Sequence, residues 1–199
     1  DPDIPTYINA RTFNVVAYAT DAESGVDKNT YKISRVIKWL GMWSSWETIG
    51  TASSFVTTVP EDGLYAFKAT VYDLGGNLGN SAITYCCVDT QPPAPPTISS
   101  PTHPDSNKPS MTNSAAFQWT ASQDTSGIAG YSYVMDNSPA TIPDEVIDFD
   151  SSCVKRTFYN LHNGTWSFHL REMDNAGNWS TPCHYQAIIN REGDSASQW

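Results

Sequence analysis

Gly63-Leu-Tyr-Ala-Phe-Lys-Ala-Thr-Val-Tyr-Asp-Leu-Gly-Gly-Asn77 aligns without a gap with Gly164-Thr-Trp-Ser-Phe-His-Leu-Arg-Glu-Met-Asp-Asn-Ala-Gly-Asn178, at a constant offset of 101 residues. A second match precedes it: Ser24-Gly25-Val26 and Ser126-Gly127-Ile128 are offset by 102 residues, each between two strand-like runs. Self-similarity at a fixed spacing marks a repeat architecture, so the chain reads as two copies of one module of about a hundred residues. Between the copies lies Asp89-Thr-Gln-Pro-Pro-Ala-Pro-Pro96, whose four prolines favour extended polyproline geometry and a semi-rigid spacer.

Within each copy the apolar positions alternate: Phe13, Val15, Ala17 and Ala19, then Tyr65, Phe67, Ala69 and Val71; in the second copy Phe117 and Trp119, then Trp166, Phe168 and Leu170. That period is the signature of half-buried strands. Gly, Pro, Asn and Asp punctuate the strands and no 3.6-residue period appears, so the expected class is all-β. The expectation is two tandem antiparallel β-sandwiches of about seven strands each, joined by the Pro-rich linker. The boundaries read as domain 1 over 1–89, linker 90–96, domain 2 over 97–190 and a polar tail over 191–199.

Length and composition agree with this reading. The 199 residues suit one large or two small domains. A net charge of −10 repels polyanions, which sets aside nucleic acid and anionic membrane surfaces as partners. No run of 18 apolar residues exists, so membrane insertion through a helix is not expected. No cleavable signal stands at Asp1, and the chain is read as a mature form or an excised piece.

Three stretches of the second copy resemble the immunoglobulin-like or fibronectin type III-like repeats of large secreted and surface proteins of bacteria and archaea. They are Phe117-Gln-Trp-Thr-Ala-Ser-Gln-Asp-Thr-Ser-Gly-Ile-Ala-Gly-Tyr-Ser-Tyr133, Leu161-His-Asn-Gly-Thr-Trp-Ser-Phe168 and Asp174-Asn-Ala-Gly-Asn-Trp-Ser180. Thr102-His-Pro-Asp105 and the linker opening at Asp89 look similar to the same repeats. The first copy matches at its Ser-Gly-Val turn and its 63–77 hairpin, and departs from the pattern around Trp39 to Trp46. The resemblance implies an extracellular spacer, adhesin, filament or enzyme-accessory module.

Acidic residues gather at the turns: Asp21, Glu23 and Asp73 in copy one, Asp124, Glu172 and Asp174 in copy two. Oxygen ligands from two loops and a linker suit Ca²⁺, which takes 6 to 8 oxygens. The expected set is Asp89, Asp124 and Asp174, with Glu172 in reserve. Asp and Asn also favour turns because their side chains bond nearby backbone, and that alternative stands beside calcium.

Four cysteines suggest an oxidising compartment and admit three pairings. Hairpin register places Leu170 opposite Cys183 and Tyr65 opposite Cys86, turning Cys183 and Cys86 inward and Cys87 outward. A bridge between neighbours 86 and 87 would be strained, which favours Cys153 with Cys183, although Cys153 then needs a bulge or loop position. Cys87 is left as a free thiol or an intermolecular bridge. The same register sets His169 opposite His184 on an outer face, a pair read as surface coincidence or as two ligands of a transition metal lacking a third.

Trp39, Trp43 and Trp46 cluster in the irregular part of copy one and are read either as a partner-contact surface, with cell-surface glycan as the candidate, or as packing over a sheet edge. Asn163-Gly-Thr165 and Asn178-Trp-Ser180 match the N-glycosylation pattern. No Ser sits in a nucleophile elbow or a Ser-His-Asp order, and the carboxylates sit in turns, so an enzyme is not expected. The function expected is an extracellular structural protein, the subunit of a filament, fibre or surface layer, self-associating head to tail. Its rivals are an adhesin or carbohydrate-binding module and the accessory domains of a secreted hydrolase.

Overall fold

The structure, a computed structural model, describes residues 6–191, with the Trp39 side chain outside the described set. The first five residues and positions 192–199 of the expected polar tail also lie outside it. Every regular element among the described residues is a strand, and the chain divides into two compact units, Asp1–Thr90 and Gln91–Trp199.

In the first unit, β2 (Thr12–Val16) pairs antiparallel with β6 (Ser54–Thr58) as one sheet. The facing sheet runs β1 (Thr6–Ile8), β9 (Thr84–Val88), β7 (Gly63–Tyr72), β3 (Lys32–Trp39), β4 (Met42–Trp43). Two further short strands, β5 (Glu47–Gly50) and β8 (Leu78–Asn80), pair with β3 and β7. The alternation seen in the sequence becomes burial. Phe13 and Val15 point inward from β2 onto a core of Val59, Tyr65, Phe67, Cys86 and Val88. The register pairs Tyr65 with Cys86, as expected.

The second unit repeats the plan. One sheet is β10 (Thr97–Ser99), β12 (Ala115–Thr120), β15 (Lys155–Phe158). The other is β11 (Pro109–Ser110), β17 (Cys183–Ile189), β16 (Gly164–Asp174), β13 (Ile128–Asp136), β14 (Phe149–Asp150). Ala115, Phe117 and Trp119 of β12 are buried alternately and meet Phe168 and Leu170 of β16. Leu170 faces Cys183 and His169 faces His184, as the hairpin arithmetic requires. Additional short edge strands take each unit beyond the expected seven.

Both units anchor the start of their longest strand alike. The Tyr65 hydroxyl donates to the Glu61 carbonyl at 2.7 Å, and the Trp166 indole N–H donates to the His162 carbonyl at 3.0 Å. Residues 65 and 166 are equivalent in the repeat. A polar aromatic tip bonded to backbone a few residues upstream is the corner device of immunoglobulin-like sandwiches, here built once with Tyr and once with Trp.

Candidate functional site

Three places carry the residues singled out by sequence: the acidic turns, the aromatic surface of the first unit and the histidine pair of the second.

The turns are built identically. Asp73 accepts from the Asn77 amide and side chain, both at 2.7 Å; Asp174 does the same with Asn178, both at 2.8 Å. Behind each, Leu74 N donates to Gly25 O and Asn175 N to Gly127 O, both at 2.9 Å. Gly25 and Gly127 have φ of 81° and 80°, a left-handed geometry that favours glycine. Asp21 and Asp124 cap their own loops, through Glu23 N and Ser24 Oγ in one case and Ser126 and Gly127 in the other. Hydrogen bonds from Ser24 and from Asn77 hold the Asp21 and Asp73 carboxyls below the usual range. The repeated carboxylates therefore close turns, the structural alternative weighed for them.

They also come together. Oxygens of Asp124 and Asp174 lie within 4.8 Å of one another. Glu172, fully buried, accepts from Ser122 N at 3.1 Å and from Ser122 Oγ through one oxygen, while its other oxygen is unpartnered. Burial raises its pKa, the Ser122 bonds oppose that, and the Asp124 charge adds to the rise. Asp89 is buried at the end of the first unit, its amide bonded to Ile8 O at 2.9 Å. In the first unit, Asp21 and Asp73 line a cleft of about 410 Å³ together with Tyr18, Tyr31 and Leu78.

The 39–46 region is a hairpin of β3 and β4, turning through Leu40 and Gly41 with positive φ. Trp43 and Trp46 are 40% and 38% exposed. Trp43 lies 5.8 Å from the Tyr85 ring, and the Lys38 and Lys68 ammonium groups sit 5.8 Å and 4.3 Å over Trp43 and Trp46. Tyr85 and Lys68 belong to this surface through their outward parity on β9 and β7, a membership that the clustering of tryptophans does not reveal. Cys87 shares that parity yet is buried, because β1 and β7 flank it with Tyr7 and Leu64 in register.

In the second unit the outer face of β16 is covered rather than open. Residues 137–148 are bonded to β13 and to β16 beside it: Asp144 accepts from Ser132 Oγ at 3.2 Å and Asp148 from Tyr133 N at 2.9 Å on β13, while on β16 the Ser138 carbonyl lies 3.1 Å from His169 Nε2 and Glu145 3.8 Å from Arg171. His169 is consequently fully buried, while His184 remains exposed. Cys153 and Cys183 are separate thiols packed against the same core, with Sγ atoms directed at Lys155 O and Leu170 O. Burial pushes the Cys183 thiol up to about 12. Both glycosylation candidates are engaged: Asn163 exchanges two hydrogen bonds with the Arg191 backbone, and Asn178 holds Asp174.

No protein-family profile and no curated protein matches the chain in sequence. The architecture defines a tandem of fibronectin type III/immunoglobulin-like β-sandwiches. Among solved structures the fibronectin(III)-like modules of Clostridium thermocellum CbhA superpose with a TM-score of 0.51 at 17% identity, covering 100% of this chain and 96% of that one. The FN1–FN3 domains of chicken CNTN1 align at 0.42 and 13% identity over 96% of this chain and 67% of theirs. A two-domain fibronectin type III segment of chicken tenascin aligns at 0.39 and 16% identity over 91% of this chain and 94% of its own.

Proposed function

We propose that the chain is an extracellular structural element, a unit of a filament, fibre or surface layer, in which successive copies associate head to tail. The observation that carries this reading is the repetition itself: two β-sandwiches follow one another in one chain, with their turn carboxylates committed to closing loops. The N-terminal end of one copy meets the C-terminal end of the next, with Asp21, Glu23 and Asp73 as the receiving carboxylates, a heterologous contact that propagates instead of closing. Negative-stain electron microscopy of native material tests it. Long fibres of uniform width are expected, and monodisperse single particles overturn it. Deleting residues 1–6 is expected to abolish the fibres; fibres unchanged by the deletion sink the head-to-tail contact.

Calcium belongs to this proposal at the Asp124 and Asp174 carboxylates, whose mutual repulsion a divalent cation offsets. Chelation is expected to lower the thermal midpoint of the second unit, and an unchanged midpoint removes the ion from the proposal.

A second reading, glycan binding, is favoured by the half-exposed Trp43 and Trp46 beside Tyr85 and two lysines. Binding on a glycan array that disappears in Trp43→Ala supports it. A third, accessory modules of a secreted hydrolase, is decided by whether the full gene encodes a catalytic domain.

A further inference from the structure

On the sheet of the second unit, His169 and His184 stand directly opposite one another across β16 and β17, their rings 4.8 Å apart and at 74°. His169 Nε2 lies 3.1 Å from Asp136 Oδ1 and 3.1 Å from the Ser138 carbonyl. Both partners only accept, so Nε2 carries a hydrogen. In the neutral ring the Nδ1 lone pair is then bare, and it points at His184 Nδ1, 2.6 Å away. Asp136 is fixed in its turn, taking Thr141 Oγ1 at 2.6 Å and Ser138 N at 2.8 Å.

We propose that this pair is a transition-metal site, in which a borderline divalent cation such as Zn²⁺ replaces the hydrogen shared by the two Nδ1 atoms. A carboxylate holding the far nitrogen of a ligating imidazole fixes its tautomer and raises its basicity, and Asp136 stands in that position toward His169. Zn–N bonds of about 2.0–2.1 Å at a tetrahedral ion set the two nitrogens roughly 3.4 Å apart. The pair must therefore open by somewhat under an ångström. His169 is pinned within the sheet under residues 136–148, whereas His184 is exposed and turns outward to admit the ion, carrying its own hydrogen on Nε2. Water fills the remaining positions on the solvent side. The site is independent of the filament reading, since it lies within one unit and needs no second copy.

Zinc titration of the tag-free chain, followed by calorimetry and by long-range ¹H–¹⁵N spectra of the histidine rings, tests the proposal. One equivalent is expected to move the Nδ1 signals of His169 and His184 together, leaving both Nε2 atoms protonated. His184→Ala, at an exposed position, is expected to keep the fold by far-ultraviolet circular dichroism and to lose this binding. Asp136→Asn is expected to weaken binding roughly 10- to 100-fold without changing stoichiometry. Equal zinc affinity in His184→Ala overturns the site. So do unmoved His169 and His184 rings at saturating zinc, whether the metal then goes to His103, His162, the thiols or nowhere.

Discussion

Phe67 and Phe168 occupy the same position of the repeat, and truncating each to alanine is expected to give unequal losses. Phe168 is fully buried and touches four rings: it stacks on Phe117 at 4.7 Å, with Trp119, Phe158 and Tyr133 at 5.8, 5.8 and 6.0 Å. Phe67 is 8% exposed and has two, Phe13 at 6.0 Å and Tyr65 at 6.5 Å. Truncating a buried Phe costs about 3–5 kcal/mol, and each well-placed aromatic pair adds about 0.5–1.5 kcal/mol beyond area. The contacts do not add fully, so Phe168→Ala is expected to cost about 5 kcal/mol and Phe67→Ala about 3 kcal/mol. At roughly 4–8 °C per kcal/mol for a domain of this size, the first variant lowers the midpoint of its unit by about 20 °C or more. Hydrogen exchange read by mass spectrometry over β7 and β9, and separately over β16 and β17, assigns each loss to its unit. If Phe67→Ala weakens its unit as much as Phe168→Ala weakens the other, the ring count is not what sets core strength here.

Asp174→Ala removes both bonds to Asn178 and is expected to cost about 1–3 kcal/mol, read as loss of exchange protection at the amides of Gly177 and Asn178. Asp62 is held below its ordinary value of 3.8: burial pushes it up, but bonds from Arg11 and Thr90 outweigh that. Its folded pKa is depressed, so its contribution is present above pH 4 and is lost as pH falls through the folded value; Asp62→Asn should flatten that part of an acid titration of stability. Glu172 has the opposite sign. Its raised folded pKa adds stability that is complete below the ordinary 4.5 and is lost as pH rises through the folded value. With chelator present, Glu172→Gln should therefore stabilise at pH 7 and be neutral at pH 4. We propose that Cys153 and Cys183 join under oxidising conditions. Closing their loop contributes about 3–4 kcal/mol by chain entropy, and non-reducing peptide mapping that links either one to Cys86 or Cys87 overturns the pairing.

What could be read in the sequence was local. Asp73 to Asn77 and Asp174 to Asn178 spell their turn outright, because the Asp side chain reaches the amide four residues on and the glycine between takes a positive φ. Once the turn length is known, the register of β7 with β9 and of β16 with β17 follows by counting, which is why the facing of His169 and His184 was accessible. Residues 137–148 were not accessible. They have no period, and they are placed by scattered contacts, Ser132 Oγ and Tyr133 N donating to Asp144 and Asp148, and His169 Nε2 to the Ser138 carbonyl, that no spacing announces. The burial of His169 was missed for that reason. Parity predicted that Trp166 faces the core but gave no sign that its indole N–H does the work of the Tyr65 hydroxyl.

The two units agree where the fold constrains them and part on one surface. The inward positions of β7 and β16 hold Tyr65 and Phe67 in one and Trp166, Phe168 and Leu170 in the other, all serving the core. Their outward positions have diverged. Lys68 sits over an exposed tryptophan on an open face, whereas its equivalent, His169, lies beneath residues 136–148 and against a second imidazole. A substitution on the inward side is limited by packing density and by the partner sheet. The outward side is limited only by what it meets, so the difference between Lys68 and His169 records different neighbours. The proposed glycan contact of the first unit lies at Trp43, Trp46, Lys68 and Tyr85, and the proposed ion site of the second at His169 and His184. Lys68→Ala on the open face should weaken the first, and His184→Ala at its exposed position should abolish the second, each without unfolding the sandwich that carries it.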